Sequence, residues 1–239
     1  MRKIFTHDLE QLQDNLVRMA EATSQAMTKA AEALRTANLQ LAEQVIDADE
    51  RIDELDRQLN EQGIALLALQ APVSRDLRQV ISALRLSGTI ERMGDLAQHV
   101  AFVARGRFPD QVVGGAGHEL LVQMADEAVR VADDVVELVR GADLDKAREL
   151  EEKDHVLDSL HLRTFDTVLD DSLELSRQEI VDIILIARYL ERFGDHGVSA
   201  AHRINYLVTG ATSPTIGEDE IDPGVSANVI ADEYGSEGH

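Results

Sequence analysis

The chain has no cysteine in its 239 residues, which removes disulfides, thiolate metal sites and cysteine nucleophiles together and suits a reducing compartment. Tryptophan is absent and aromatic residues make up only 3%, a scarcity that favours helices over strands. The four prolines, Pro72, Pro109, Pro214 and Pro223, all fall between periodic segments, where no helix interior loses a hydrogen bond to them. Basic residues are few: 23 Lys and Arg stand against 45 Asp and Glu, a net charge of −22. Such a chain repels a phosphodiester backbone and an anionic bilayer, so neither nucleic acid nor a membrane surface is an expected partner. No run approaches the roughly 18–20 apolar residues of a transmembrane helix, so no direct membrane insertion is expected. Residues 1–8 lack the apolar stretch of a signal peptide. The expected class is a cytoplasmic, all-α protein.

Helical periodicity fills most of the chain. Leu9, Leu12, Leu16, Met19, Ala20, Met27, Ala30, Ala31 and Leu34 form one stripe of a first helix. Asn38 is placed to cap a second, over about 39–69, with Leu41, Val45, Ile52, Leu55, Leu59, Leu66 and Leu69 facing inward. A third follows Pro72, over about 75–105. Residues 106–117 hold four glycines and a proline and read as a linker or hinged turn. A fourth helix over 120–140 precedes Asp143, a second candidate cap, and a fifth helix to about 171. Ser176 and Glu179 form a capping box that opens a sixth, over about 177–208. Its run from Ile180 to Leu190 is apolar on nearly every side, which predicts a place in the middle of a bundle. Residues 209–239 carry five glycines, seven acids and no Lys or Arg, the composition of a disordered acidic tail.

The pattern repeats. Glu91-Arg92-Met93-Gly94-Asp95 returns as Glu191-Arg192-Phe193-Gly194-Asp195, 100 positions later. Met19 and Met124, Arg35 and Arg140, Asn38 and Asp143, and the pairs Asp49/Asp53 and Asp154/Asp158 all keep an offset of 105. The expectation is a tandem duplication: two pseudo-symmetric three-helix bundles, six long helices of about 20–30 residues in all. The first unit covers residues 1–105, the linker 106–117, the second unit 118–208 and the tail 209–239.

Paired carboxylates are the chemical lead, because residues four apart share a helix face with Cβ atoms about 5–6 Å apart. With 24 Asp and 45 acids in all, about four or five such pairs arise by chance, and eight occur. Glu10/Asp14, Glu43/Asp47, Asp166/Asp170 and Glu218/Asp222 have no counterpart in the other repeat; the other four recur at matched places. If the second and third helices of each unit are antiparallel neighbours, Asp49, Asp53, Glu91 and Asp95 converge in one, and Asp154, Asp158, Glu191 and Asp195 in the other. Four close carboxylates resist full ionisation at neutral pH without a cation or basic residues. All-oxygen donors favour hard cations such as Mg²⁺, Ca²⁺, Mn²⁺ or iron, with Zn²⁺ a further possibility.

Rival readings accompany these residues. Arg92 and Arg192 are placed to neutralise the carboxylates, which would make the clusters salt-bridge networks. Gly94 and Gly194 serve either close helix approach or an uncluttered ion, and His99, four after Asp95, is a candidate additional ligand. His155 and His196 point about 100° away from the acids. No Gly-x-Ser-x-Gly, Walker loop, dinucleotide fingerprint or His-Glu-x-x-His occurs.

Two three-helix units, the turn Pro72-Val73-Ser74-Arg75-Asp76-Leu77-Arg78, and the Glu-Arg-x-Gly-Asp phrase at 91–95 and 191–195 together closely resemble the PhoU family of bacterial phosphate-signalling proteins, over about residues 4–208. The resemblance implies a cytoplasmic, dimer-forming regulator with metal clusters at those motifs. It also implies partnership with the phosphate ABC transporter ATPase and a sensor histidine kinase, restraining the phosphate-starvation response when phosphate is ample, without catalysis. The departures are Leu96 where the second repeat has His196, the lack of a proline-led Asp-Leu-Arg turn in the second half, and the acidic tail. The rival classes are a metal-dependent hydrolase or oxidase, which needs an open coordination position and a general base, and a metal-free helical adaptor.

Overall fold

The computed structural model describes residues 2–211, and they contain helices and no strand. In chain order these are α1 (Arg2–Thr36), α2 (Leu39–Gln70), α3 (Ser74–Arg107), α4 (Gly115–Gly141), α5 (Leu144–Lys153), α6 (His155–Val168) and α7 (Arg177–Thr209). The expected caps are formed: Asn38 Oδ1 accepts from the Leu41 N–H at 3.0 Å, Asp143 from the Asp145 N–H at 2.8 Å, and Ser176 and Glu179 close a reciprocal capping box. Each satisfies N–H groups that a helix start leaves unpaired. The expected tail, from residue 212 onward, lies outside the described residues.

Two differences from the expectation have local causes. The fifth helix is interrupted at Asp154, giving α5 and α6. Asp154 keeps right-handed helical angles, φ −52° and ψ −42°, so the two pieces continue as one rod and six rods remain. At the break His155 Nδ1 lies 2.8 Å from the Glu152 carbonyl, and the Leu157 N–H reaches the Asp154 carbonyl at 3.2 Å in a tighter turn. The rod ends at Val168 rather than 171, because the Asp170 carboxylate accepts the Ser172 N–H at 2.9 Å and so starts a turn. Five of the helices exceed or fill the expected length, at 27–35 residues.

The α1 stripe is buried throughout as expected, whereas Leu69, in the last turn of α2, is exposed. The Ile180–Leu190 run does not lie buried on all sides: Ile183, Ile186, Ala187 and Leu190 are buried, while Val181 and Leu185 face outward.

α1, α2 and α3 pack mutually; in the second unit α7 packs on α4 and on the α5–α6 rod. The units join through α1 against α4 and α3 against α7, and one continuous apolar cluster runs through both. Each of these contacts pairs an element with its own counterpart, as a two-fold relation requires. The side chains repeat that reciprocity. Arg35 of α1 pairs with Asp126 of α4, and Arg140 of α4 pairs with Glu21 of α1; an offset of 105 converts one pair into the other. Among the described residues no helix is long and apolar enough to cross a membrane.

One junction between units is ionic, with its carboxylate buried. Asp182 at the start of α7 is 2% exposed, and Arg107 at the end of α3 grips it with two nitrogens, Nη2 at 2.9 Å from Oδ1 and Nε on Oδ2. Gln178 Nε2 adds a third donor at 2.9 Å. Removing the guanidinium strands a dehydrated carboxylate. Arg107→Ala is expected to lower the unfolding free energy by about 2–4 kcal/mol in urea titrations, and Arg107→Ala with Asp182→Ala together by less than the single change. An unaltered midpoint in the single variant contradicts this role.

Candidate metal centre

In the first unit α2 packs on α3, with Ile52 of α2 set against Gly94 of α3, and Ile52, Leu55, Ile90 and Met93 are all buried. The neighbouring positions on the two helices, Asp49 and Asp53 on α2 and Glu91 and Asp95 on α3, lie along the edge of that apolar seam. One oxygen from each of Asp49, Asp53 and Asp95 lies within 4.8 Å of the others. Glu91 stands beside this triad, in the field of Asp95, Asp56 and Asp53. In the second unit the triad is Asp158, Glu191 and Asp195, by the same measure. Asp154 is the flanking acid here, in the field of Asp158 and acting on Asp195. All eight residues singled out in the sequence therefore sit in two clusters, with a different member of each four set to the side.

The motif glycines account for the approach of the helices. A Cβ on Gly94 would come 3.0 Å from Ile52 Cδ1, and one on Gly194 would come 2.8 Å from Leu157 Cδ1. Both spaces are filled by an apolar side chain of the facing helix, so close packing is what these glycines serve.

Burial and mutual repulsion push the carboxyls up. Asp49 is raised to about 6, by burial first and then by Asp53 and Asp95. Glu91 is raised to about 7 by burial, then by Asp95, Asp56 and Asp53, against the pull of Arg92. Glu191 reaches about 7 through burial and Asp195, and Asp195 about 6 through burial, Asp154 and Asp158. Asp95 and Asp154 are raised likewise, burial leading in both. These groups resist losing their protons where they stand, and a cation would reverse that. Opposite vertices of a six-coordinate shell with bonds of about 2.0–2.6 Å lie roughly 4–5 Å apart, so three oxygens within 4.8 Å fit one hard ion.

Several neighbours escaped the sequence reading. Asp56, three residues after Asp53, joins the first cluster's field and accepts the Ser87 hydroxyl at 2.5 Å. Gln98 Nε2 donates to Asp49 Oδ2 at 2.5 Å. Arg188 Nη1 donates to both oxygens of Glu191, at 2.9 and 2.8 Å. The i, i+3 spacing on a helix was the available signal for Asp56 and Arg188. Arg92 and Arg192, the expected neutralisers, are exposed and act through their field; the direct partner is Arg188. His99 lies near enough to act on Asp95, and its ring lies against Tyr189 at 5.0 Å between centroids.

The profile of a family described as PhoU domain matches residues 16–104 and again 121–204. A protein of Mycobacterium tuberculosis named phosphate-specific transport system accessory protein PhoU homolog 2 is 37% identical over 211 residues, spanning 88% of this chain and 99% of its own. Homolog 1 of Mycobacterium leprae is 37% identical over 224 residues, 94% and 99% of the two chains. The crystal structure of the phosphate transport system regulatory protein PhoU from Streptococcus pneumoniae superposes with a TM-score of 0.79 at 25% identity, covering 87% of this chain and 99% of that one. PhoU from Pseudomonas aeruginosa gives 0.77 at 27% identity, covering 87% and 100%.

The raised carboxyls fix a sign for pH dependence. Between the unfolded values near 4 and the folded values near 6–7, the folded state holds more protons than the unfolded chain, so stability falls as pH rises through this window. The depressed carboxyls Glu149, Asp170 and Glu179 act below about pH 4.5, outside it; His161, lowered by burial and by Arg188, works in the opposite direction inside the window, as one group against the raised carboxyls. Chelator-treated protein is expected to melt a few degrees higher at about pH 5.5 than at about pH 7.5. Asn and Gln at Asp49, Glu91 and Asp195 should shrink the difference. A melting temperature that climbs with pH across the window contradicts the crowding of charge.

Proposed function

This chain belongs to the PhoU family, and from that premise we propose that it is a regulatory accessory protein of phosphate transport that restrains the phosphate-starvation response while phosphate is ample. The observation that carries this reading is the family match in both repeats, together with relatives alike along nearly their whole length. In this reading the protein works by contact, in the cytoplasm and as a homodimer. It touches the ATPase of the phosphate ABC transporter and a sensor histidine kinase, and performs no turnover of its own.

Two features of the chain support regulation by contact. The first is a set of exposed apolar side chains: Leu162, Phe165 and Leu169, at spacings of three and four on and just beyond α6, and Val181 and Leu185 on α7. Their counterparts in the first unit are Arg57, Asn60, Ile64, Ile81 and Arg85, and that unit exposes apolar side chains of its own at Ile64, Leu69, Val73, Leu77 and Phe102. Clustered exposed apolar side chains mark protein-contact surfaces. The second is the pair of carboxylate clusters, which we assign as metal sites: Asp49, Asp53, Glu91 and Asp95 in one unit, Asp154, Asp158, Glu191 and Asp195 in the other. Among iron, Mn, Mg and Zn, oxygen-only donors suit the first three best. Bound ions would supply the positive charge that offsets the crowded carboxylates; the chain's own part is to hold those oxygens at the helix edges.

In cells lacking the gene, phosphate-starvation genes should be active in phosphate-replete medium, and a plasmid copy should silence them again. A copy carrying Glu91→Ala with Asp95→Ala should lose metal from one unit while remaining helical. Continued repression in the deleted strain, or useful turnover of a phosphorylated substrate by the pure protein, contradicts the regulatory reading.

A further inference from the structure

The two carboxylate clusters are built on one plan but do not carry the same charge. Applying the offsets of the repeat, position 188 corresponds to 88, 161 to 56, and 198 to 98; Arg188 therefore stands where the first unit has Gly88, His161 where it has Asp56, and Val198 where it has Gln98. Each difference bears on the clusters. In the second unit a single guanidinium nitrogen of Arg188 bonds both oxygens of Glu191, at 2.9 and 2.8 Å, and Glu191 belongs to the triad with Asp158 and Asp195. His161 lies in the fields of both Arg188 and Asp158. In the first unit the donor on the triad is the neutral amide of Gln98, on Asp49, and Asp56 adds a fifth acid to the surroundings. Arg92 and His99 act on Asp95 of this triad through their field. The absence of a side chain at Gly88 leaves open space, with nothing within 4 Å of where its Cβ would be.

We propose that Arg188 is a built-in counter-ion that competes with a metal ion for the Glu191 carboxylate, so that the Asp49–Asp53–Asp95 cluster fills at a lower metal concentration than the Asp158–Glu191–Asp195 cluster. This rests on the reading of the clusters as metal sites. An ion entering the second cluster must displace a charge-assisted contact made to both oxygens of one ligand, and then shares the site's surroundings with the released guanidinium. An ion entering the first cluster displaces the neutral amide of Gln98 rather than a guanidinium bonded to both oxygens of one ligand, and meets one more carboxylate. The Arg188 side chain is 40% exposed and that of Glu191 12%, so solvent weakens the competition without removing it, and the guanidinium has room to swing outward. The protein thereby has a singly loaded state, with metal in the first unit and arginine in the second, between its empty and doubly loaded states.

The test is a Mn²⁺ titration of the full chain after chelator treatment, following free Mn²⁺ by electron paramagnetic resonance. Wild-type protein should bind in two separated steps, the tighter lost in Glu91→Ala with Asp95→Ala and the weaker in Glu191→Ala with Asp195→Ala. Arg188→Gln keeps the stem and removes the charge; it should tighten the second step about tenfold and leave the first unchanged. Gly88→Arg, which installs the counter-ion in open space and improves helix propensity, should weaken the first step by a similar factor. Circular dichroism of each variant checks the fold. Two indistinguishable steps in wild type, or a second step unmoved by Arg188→Gln in folded protein, overturns the competition while the metal sites stand. Absence of any bound Mn²⁺ in wild type overturns the metal sites and the competition together.

Discussion

Repulsion between carboxylates held at the edge of an apolar helix seam is the interaction on which the rest of this molecule turns. On free helices, Asp95 of α3 would move away from Asp49 and Asp53 of α2. Here Ile52 fills the space left by Gly94, and Leu157 that left by Gly194, so apolar contact draws the helices together and the acids follow. The energy of the packing is spread over many side chains, while the cost of the charges is concentrated in two places. That concentration raises the carboxyls toward neutrality and gives a cation something to relieve.

The duplication explains why the same arrangement occurs twice and why the two copies differ. Fusing two units about an internal two-fold relation brings α1 against α4 and α3 against α7, and the reciprocal pairs Arg35–Asp126 and Arg140–Glu21 still mark that relation. Symmetry of the backbone does not bind the side chains. The second unit has Arg188 at its carboxylates and exposes Leu162, Phe165 and Leu169; the first has Gly88 and Asp56 at the matched places of the cluster. The two carboxylate clusters thus differ in their charged neighbours, a divergence that a single-chain duplication permits and a symmetric dimer of identical units does not.

Helix identity and capping were legible because they rest on local rules: the stripe from Leu9 to Leu34, the side chains of Asn38, Asp143 and Ser176, and the prolines between segments. The eight acids were legible because a repeat filters chance pairs. What escaped depends on which face of a helix meets what. The run from Ile180 to Leu190 gives no sign in sequence that Val181 and Leu185 remain uncovered, since an apolar residue reads alike whether a neighbour covers it or not. Leu69 continues the α2 stripe, yet it lies in the helix's last turn and stays exposed. Arg192 adjoins Glu191 in sequence but is turned about 100° from it, whereas Arg188, one turn back, reaches it. The interruption at Asp154 depends on how the His155 ring meets the Glu152 carbonyl, a contact that periodicity does not encode.

The central claim is that these clusters are places where a cation offsets crowded carboxylates, and diffraction tests it most directly. Crystals grown with Mn²⁺ and measured at a wavelength where manganese scatters anomalously should show a peak among the oxygens of Asp49, Asp53 and Asp95, coordinated at about 2.1–2.3 Å. The peak should fade in crystals of Glu91→Ala with Asp95→Ala. An anomalous map empty at both clusters, with the carboxylates contacted by water and arginine alone, would contradict the account.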